Sequence, residues 1–169
     1  MKCAAVTCAL GVLLGSAPAI AAAPQPTKPV AIGMYFGRWY QIAQIAQTNR
    51  HRCPGATDDF SGGPNGGFSV LVTCHDPSGG AREIRAGVSI VQGSGAAKFK
   101  MSFFGGLISR EYWVLDRAPD QSWVLMATPG GNNLWLLARR PVLDPAVRAT
   151  ATARIAALGY NVGRLTSVS

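Results

Sequence analysis

Short runs of alternating or continuous apolar residues occupy the chain from Arg38 to Arg139. Clusters of Gly, Pro, Asn and Asp separate these runs at roughly regular intervals, and this spacing is typical of an all-β domain. Each separator is short enough to join antiparallel neighbours, so consecutive runs should pair in sequence order. The pattern predicts eight strands, at Tyr40–Thr48, Ala56–Ser61, Phe68–Cys74, Glu83–Gln92, Lys98–Phe104, Tyr112–Asp116, Trp123–Thr128 and Leu134–Arg139.

The fifth run, KFKMSFF, indicates which face of a strand is buried. Phe99, Met101 and Phe103 fall on one face, while the intervening Lys and Ser residues fall on the other. An eight-stranded meander that closes on itself hides its edges, and its interior is filled by side chains or holds one small ligand. A two-sheet sandwich with Greek-key crossovers would need longer connections. We therefore predict an all-β fold, an eight-stranded antiparallel up-and-down barrel.

The segment that follows the eighth run has helical periodicity. Asp144 is a suitable N-cap residue, Pro145 suits the first helical position, and Gly159 suits a left-handed stop. We therefore predict one C-terminal α-helix, packed on the outside of the barrel through an apolar stripe. The residues of that stripe are Val147, Ala151, Ile155 and Leu158.

The N-terminus has the organisation of a secretory signal peptide. Lys2 precedes an apolar stretch that runs through Leu14, and small residues follow it. The best small-x-small match ends at Ala21, because a cut two residues later would place Pro24 directly after the scissile bond. We therefore expect a mature chain that begins at Ala22.

The length of 169 residues, 48% of them apolar, suits one compact core. We expect a signal peptide at residues 1–21, an N-terminal linker at residues 22–34 and a barrel domain at residues 35–169. Cys3 and Cys8 lie before or within the apolar leader region rather than just after it, so we expect no lipid anchor. The mature protein is then expected in the periplasm or outside the cell.

The formal net charge is +8, and loss of the leader removes only Lys2. A basic surface of this kind attracts anionic head groups, acidic ligands or nucleic acid. Exported proteins rarely meet nucleic acid, so we expect no nucleic-acid partner, while peripheral contact with a membrane surface stays open. The alternative is that the charge serves only solubility. We expect a monomer or a weak dimer.

Two cysteines remain in the predicted mature chain, Cys53 and Cys74. In an oxidising compartment such a pair predicts a disulfide, which would stabilise the fold by about 3 kcal/mol in the chain-entropy model. His51 and His75 lie beside them, and two Cys with two His could also hold zinc. Because this spacing matches no common zinc pattern, we favour the disulfide and expect no metal and no cofactor.

Four positions give the chain a family resemblance. Gly37 and Trp39 stand at the start of the first predicted strand. Asp116 ends the sixth strand in VLDRAPD, and Arg139 ends the eighth in LWLLARRP, just before the helix. This arrangement resembles the lipocalins. The resemblance implies that the Trp plugs one end of the barrel and that the Arg packs over its ring, a cation–π contact worth about 1–2 kcal/mol where water is partly excluded.

Within that family, the stretches KMSFFGG, YWVLD, LWLLARRP and LGYNVGRL look most like the bacterial outer-membrane lipocalins and their apolipoprotein-D-like relatives. The likeness implies a periplasmic or secreted carrier that binds a fatty acid, a lysophospholipid or a similar small hydrophobic or amphiphilic ligand. Two features depart from the pattern. RAPDQSW after Asp116 lacks the usual aromatic residue, which argues against a receptor contact, and the lipid-attachment motif of the anchored bacterial members is absent.

If the first strand rises from the plugged end, the odd-numbered loops lie at the open mouth. These loops cover residues 49–54, 75–82, 105–111 and 129–133. Their arginines would bind an anionic head group, because a guanidinium donates paired hydrogen bonds to carboxylates and phosphates. The alternative is that they are ordinary solvated loop residues. The candidate head-group residues are Arg50, Arg52, Arg82 and Arg110.

The candidate cavity wall follows from the alternation of inward and outward positions in the predicted strands. On the last strand, Trp135 and Leu137 share the face of Arg139, which must reach Trp39. The alternative is a solid barrel whose interior these side chains simply fill. The candidate wall residues are Phe68, Val70, Val72, Ile84, Val88, Ile90, Phe99, Met101, Phe103, Tyr112, Val114, Trp135 and Leu137.

Two other classes of function stay open: a lipocalin-fold enzyme or haem binder, and a module that binds a protein through the open-end loops. No His-Ser-Asp or Cys-His set is placed to converge, and a disulfide would remove both thiols from nucleophilic work. The aspartates, Asp58 and Asp59 among them, look like turn or cap residues. We therefore expect no enzymatic activity, and a small hydrophobic or anionic amphiphilic ligand as the partner.

Overall fold

The computed structural model describes residues 22–46, 53, 55–63, 67–76 and 78–168. Within these residues the backbone forms nine strands and one α-helix, with single turns of tighter helix in the connections. The strands are β1 (Gly37–Ile45), β2 (Thr57–Gly62), β3 (Phe68–His75), β4 (Ala81–Ile90), β5 (Lys98–Phe103), β6 (Ile108–Arg117), β7 (Trp123–Ala127), β8 (Leu134–Ala138) and β9 (Thr166–Ser167). The helix α1 is Pro145–Ala157.

The first eight strands close into an antiparallel barrel in which consecutive strands pair with one another. β1 completes the closure, because Gly37–Tyr40 pairs with β2 and Tyr40–Ile45 pairs with β8. β9 adds a short antiparallel pairing beside Ala43 and Gln44. The predicted eight-stranded up-and-down barrel with one C-terminal helix is therefore confirmed.

Three strands, β1, β4 and β6, begin earlier than the sequence pattern predicts. β4 starts at Ala81 rather than Glu83, and its first two residues pair with His75 and Cys74 of β3. β6 starts at Ile108 rather than Tyr112, and its exposed first residues pair with the end of β5. The alternation signal fails there because neither face is buried, and backbone pairing alone extends the strand. β1 starts at Gly37 rather than Tyr40, because the residues up to Trp39 already pair with β2.

Apolar side chains form two buried clusters, one on each side of the barrel wall. The inner cluster fills much of the interior, and the outer cluster lies between the barrel and α1. Ala151 and Ile155 of α1 are fully buried in the outer cluster, and Val147 and Leu158 pack at its margin. The predicted apolar stripe of the helix therefore packs on the outside of the barrel.

The helix α1 begins and ends at the predicted signals. Oδ1 of Asp144 accepts a hydrogen bond from the backbone N–H of Ala146 at 2.9 Å, and Pro145 takes the first helical position. Gly159 follows the helix with φ +89°, a left-handed conformation that glycine adopts without strain. The described residues contain no helix that is long and apolar enough to span a bilayer.

The closed end of the barrel is built from Trp39, Arg139 and the chain that precedes β1. Trp39 is 1% exposed, and its Nε1 donates to the carbonyl oxygen of Tyr35 at 2.9 Å. The guanidinium of Arg139 lies 3.6 Å from the centre of the Trp39 ring. Its Nη1 and Nη2 donate to the carbonyl oxygens of Arg38 and Met34 at 3.0 and 2.6 Å. The guanidinium therefore joins the entering chain to the ring that plugs the barrel.

The entering chain bends at Gly37 and packs against the barrel. Gly37 has φ +88°, and a Cβ built on it would lie 3.5 Å from Nη1 of Arg139. Further back, the N–H of Val30 donates to the carbonyl oxygen of Gly95, in the β4–β5 connection, at 2.8 Å. Residues 22–34, expected to be a linker, thus make specific contacts with the barrel.

Replacement of Arg139 by Met should lower the free energy of unfolding by about 2–4 kcal/mol. The variant loses the contact with the Trp39 ring and leaves two carbonyl oxygens without that donor. Urea denaturation followed by circular dichroism measures the change. Arg140→Met is the matched control, because Arg140 is exposed and its replacement should change stability by less than about 0.5 kcal/mol. Equal stability of the two variants would contradict this account of the closed end.

Candidate functional site

A cavity opens in the half of the barrel opposite the Trp39 plug. Its inner part has a volume of about 240 Å³, and a wider part at the open end has a volume of about 800 Å³. The two parts share Gln41, Val72, Ile84 and Trp135, so they run continuously into the barrel. We refer to them as the inner cavity and the mouth.

Apolar side chains form most of the wall of the inner cavity, because inward and outward positions alternate along each strand. Val72 of β3 pairs with Ile84 of β4, so the two side chains face the cavity next to each other. Met126 of β7 also lines the inner cavity and was not among the predicted residues. Seven of the thirteen predicted wall residues line it: Val72, Ile84, Met101, Phe103, Tyr112, Trp135 and Leu137.

The other six predicted wall residues face inward in the closed half of the barrel, in or against the inner cluster. Tyr35 and Phe60 share that space with them. The ring centre of Tyr35 lies 5.2 Å from that of Phe99 and 5.7 Å from that of Phe68. This aromatic packing fills the barrel floor and confines the inner cavity to the half nearer the mouth. The six residues are Phe68, Val70, Val88, Ile90, Phe99 and Val114.

Two of the four predicted head-group residues, Arg82 and Arg110, line the mouth. Each takes an inward-facing position, on β4 and β6 respectively, at the open end of its strand. Glu83 lines the mouth as well, so the described part of the rim carries both signs of charge with arginine in excess. Arg50 and Arg52 lie outside the described residues.

Cys53 and Cys74 also line the mouth and form the predicted disulfide, with their Cα atoms 5.3 Å apart. The bond ties the segment before β2 to the end of β3. Because both sulfurs are bonded, neither thiolate is available to zinc in this form. His75 is exposed, and His51 lies outside the described residues. Among the residues that the structure describes, no group of three or more His, Cys, Asp and Glu side chains is arranged for a metal ion.

Asp58 is a polar residue of the wall that sequence reasoning missed, since the expectation of a turn or cap residue was wrong. It lies on β2, lines the inner cavity and is 6% exposed. Nε2 of Gln41 donates to its Oδ1 and Oδ2 at 3.0 and 3.2 Å. Burial raises the pKa of Asp58 to about 7, while the Gln41 hydrogen bond lowers it and the charge of Asp59 raises it further. The carboxyl can therefore exchange a proton near neutral pH inside an apolar cavity.

The alternation of inward and outward positions along β2 is the sequence signal that could have identified Asp58 as an interior residue. The two successive aspartates look like turn residues because they follow the segment PGAT. Asp58, however, is in phase with Phe60, which is buried in the inner cluster. Asp59 points to the other side, where its Oδ1 accepts a hydrogen bond from Nε of Arg38 at 2.8 Å. An aspartate in phase with a buried aromatic residue thus indicates an acid in the interior.

The barrel with its plugged end matches a known family of proteins. The family profile described as "Lipocalin-like domain" matches residues 30–169. The chain belongs to the lipocalin family. Lipocalins bind small hydrophobic ligands and are generally carriers rather than enzymes. The family predicted from Gly37, Trp39, Asp116 and Arg139 is therefore confirmed.

Curated relatives and solved structures agree with this assignment. The outer membrane lipoprotein Blc of Vibrio cholerae is 27% identical over 147 residues, which cover 84% of this lipocalin and 85% of that protein. Apolipoprotein D of Macaca fascicularis is 37% identical over 82 residues, which cover 48% of this chain and 42% of that protein. Insecticyanin from the tobacco hornworm Manduca sexta shares the fold, with a TM-score of 0.69 at 15% identity over 86% of this chain and 83% of that one.

Asp116 joins three parts of this lipocalin on the outside of the barrel. Its Oδ1 lies 3.4 Å from Nζ of Lys28 in the entering chain, and its Oδ2 lies 3.4 Å from Nε of Arg154 on α1. Both basic side chains are more than half exposed, so each ion pair contributes less than about 1 kcal/mol. Asp116 therefore orients the entering chain and the helix and takes no part in the cavity.

Asp58→Asn should remove a pH dependence of stability from this lipocalin. Between its ordinary pKa of 3.8 and its folded pKa of about 7, Asp58 keeps a proton in the folded state that the unfolded chain has released. The free energy of unfolding of the parent protein therefore falls as pH rises through this range. The Asn variant has no such proton to lose. As pH rises through this range, its stability relative to the parent should therefore increase by up to about 4 kcal/mol.

Urea unfolding of both proteins at about pH 4 and about pH 8 measures this difference. Asp59→Asn is the matched control, because Asp59 carries the same carboxyl on the outer face of the same strand. Because the charge of Asp59 raises the Asp58 pKa less than burial does, this variant should keep most of the parent's loss of stability with rising pH. A difference between the parent and Asp58→Asn that stays constant from acid to alkaline pH would show that the carboxyl titrates normally.

Proposed function

We propose that this lipocalin is a periplasmic or secreted carrier of a small hydrophobic or amphiphilic ligand, such as a fatty acid or a lysophospholipid. The observation that carries the proposal is the combination of an apolar inner cavity with arginines at its mouth. An acyl chain would fill the inner cavity, whose wall is mainly aliphatic and aromatic. The head group would remain at the mouth.

The mouth suits an anionic head group. Arg82 and Arg110 both line it, and a guanidinium donates paired hydrogen bonds to a carboxylate or phosphate. The whole chain carries a net charge of +8, which attracts anionic ligands over longer distances. Glu83 beside Arg82 limits this attraction and would disfavour a head group that spreads toward it.

Several features support export and contact with membranes. The disulfide at the mouth is stable in an oxidising compartment, and the Vibrio cholerae relative is named an outer membrane lipoprotein. We propose cleavage of a signal peptide at residues 1–21 and no lipid anchor. Phe104 and Leu107 in the β5–β6 connection are 65% and 87% exposed at the open end, and Ile108 at the start of β6 is 46% exposed. Such an apolar loop beside Arg110 suits transient contact with an anionic membrane surface during loading.

The proposal is one of binding without catalysis, by a monomer or a weak dimer. Its test begins with protein purified without detergent and examined by native mass spectrometry for retained lipid. Calorimetric titration with oleate, lysophosphatidic acid and retinol then compares two anionic amphiphiles with a neutral one. We expect one bound molecule per chain and tighter binding of the two anions.

The double variant Arg82→Gln, Arg110→Gln should weaken the binding of oleate by about tenfold, because two partly exposed ionic contacts are lost. Retinol, which has no charge, should bind as it does to the parent. Arg85→Gln is the matched control, because Arg85 is exposed on the outward face of β4. Failure of the folded protein to bind any of the three ligands would refute the carrier proposal. Equal losses for retinol and oleate would refute the head-group role of the arginines.

A further inference from the structure

The inner cavity is not uniformly apolar. Among the described residues that line it, Asp58 is the only acidic one, and its carboxyl is paired with Gln41. Both hydrogen bonds that the described residues give to this carboxyl come from one atom, Nε2 of Gln41. A carboxylate accepts about four hydrogen bonds, so about half of its acceptor capacity is left for a group in the cavity.

The lining of the cavity shows the depth of this polar group, because Asp58 lines the inner cavity whereas Arg82 lines the mouth. Asp58 pairs with Val72 on β3, and Val72 pairs with Ile84 on β4. Arg82 lies two residues nearer the mouth than Ile84 on the same face of β4, which is about 7 Å along the strand. A ligand whose head group is bound at Arg82 would therefore place the first part of its chain beside Asp58.

An unsubstituted acyl chain is a poor match for this position. It would displace water from the carboxyl and provide no hydrogen-bond donor in its place. Leaving a buried polar group without a partner costs free energy, so such a chain would bind less tightly. A hydroxyl group on the chain would donate a hydrogen bond to Asp58 when the carboxyl is ionised, and would accept one from the carboxyl O–H when it is protonated. An amine would also donate, but its positive charge would have to pass Arg82 and Arg110.

We propose that Asp58 and Gln41 form a polar subsite inside the cavity that selects anionic amphiphiles bearing a hydroxyl group on the acyl chain. The inference rests on the proposed function and narrows its ligand class from acyl chains in general to hydroxylated ones. The head group is held at the mouth by the arginines, and the hydroxyl is held deeper, in the inner cavity, by the carboxyl.

Two matched pairs of probes test the subsite by calorimetric titration: β-hydroxymyristate against myristate, and ricinoleate against oleate. The first pair differs by a hydroxyl next to the head group and the second by a hydroxyl in mid-chain. We expect the parent protein to bind β-hydroxymyristate about tenfold tighter than myristate, as one hydrogen bond to a carboxylate would provide. A smaller preference is expected in the second pair, whose hydroxyl lies deeper than Asp58.

Asp58→Leu should abolish this preference while it retains or improves the binding of myristate. Asp58→Ala removes the same acceptor without adding bulk. It replaces the Leu variant in this test if circular dichroism shows that the Leu variant does not fold. Asp59→Asn is the matched control, since it removes a carboxyl from the outer face of β2 and should keep the tenfold preference.

Each outcome distinguishes the subsite from the carrier function. Equal binding of both members of each pair by the parent would overturn the subsite and leave the carrier proposal standing. A preference for the hydroxylated fatty acid that persists in both Asp58 variants would likewise overturn the subsite and leave the carrier proposal standing. Tighter binding of myristylamine than of β-hydroxymyristate would overturn the choice of a hydroxyl. Binding of none of the fatty acids would overturn both proposals.

Discussion

The stacking of the Arg139 guanidinium on the Trp39 ring decides which end of the barrel is closed. Burial lowers the pKa of Arg139, yet a guanidinium remains charged at any ordinary pH. Its charge is compensated by the ring and by two carbonyl oxygens of the entering chain. Because a partly desolvated cation needs all of these partners, the entering chain cannot leave the barrel floor without a large loss of stability.

The closed floor determines the depth of the cavity. Tyr35 enters from the chain beneath the barrel and packs on Phe68 and Phe99, so the lower half of the interior is solid. At the other end, the Cys53–Cys74 bond fixes part of the rim. A ligand is therefore confined to the space between an aromatic floor and a rim with arginines. This geometry favours an elongated molecule with an apolar end inside and a polar end outside.

The sequence predicts most of the fold because short apolar runs recur between turn-forming separators, and because buried and exposed positions alternate in strands such as β5. It predicts the helix because Asp144 and Gly159 mark both ends. It does not show how far up the barrel the floor reaches, since residues such as Phe99 and Met101 share one alternation pattern although the first is in the floor and the second lines the cavity. That division depends on Tyr35, which lies outside the strands and has no periodic signal.

Asp58 shows a different limit of sequence reasoning, and it also links stability to function. Its burial raises its pKa, so at neutral pH the folded state is less stable than it would be if the carboxyl kept its ordinary pKa. The inner cluster around it shows that the barrel has apolar side chains to fill such a place. Residues of binding sites commonly lower the stability of the fold because they make specific contacts with a ligand. A destabilising group that faces a cavity is therefore better explained by ligand binding than by folding. The position of Asp58 beside Gln41 in the inner cavity, with the arginines at the mouth, is therefore better explained by a role in ligand selection than by packing.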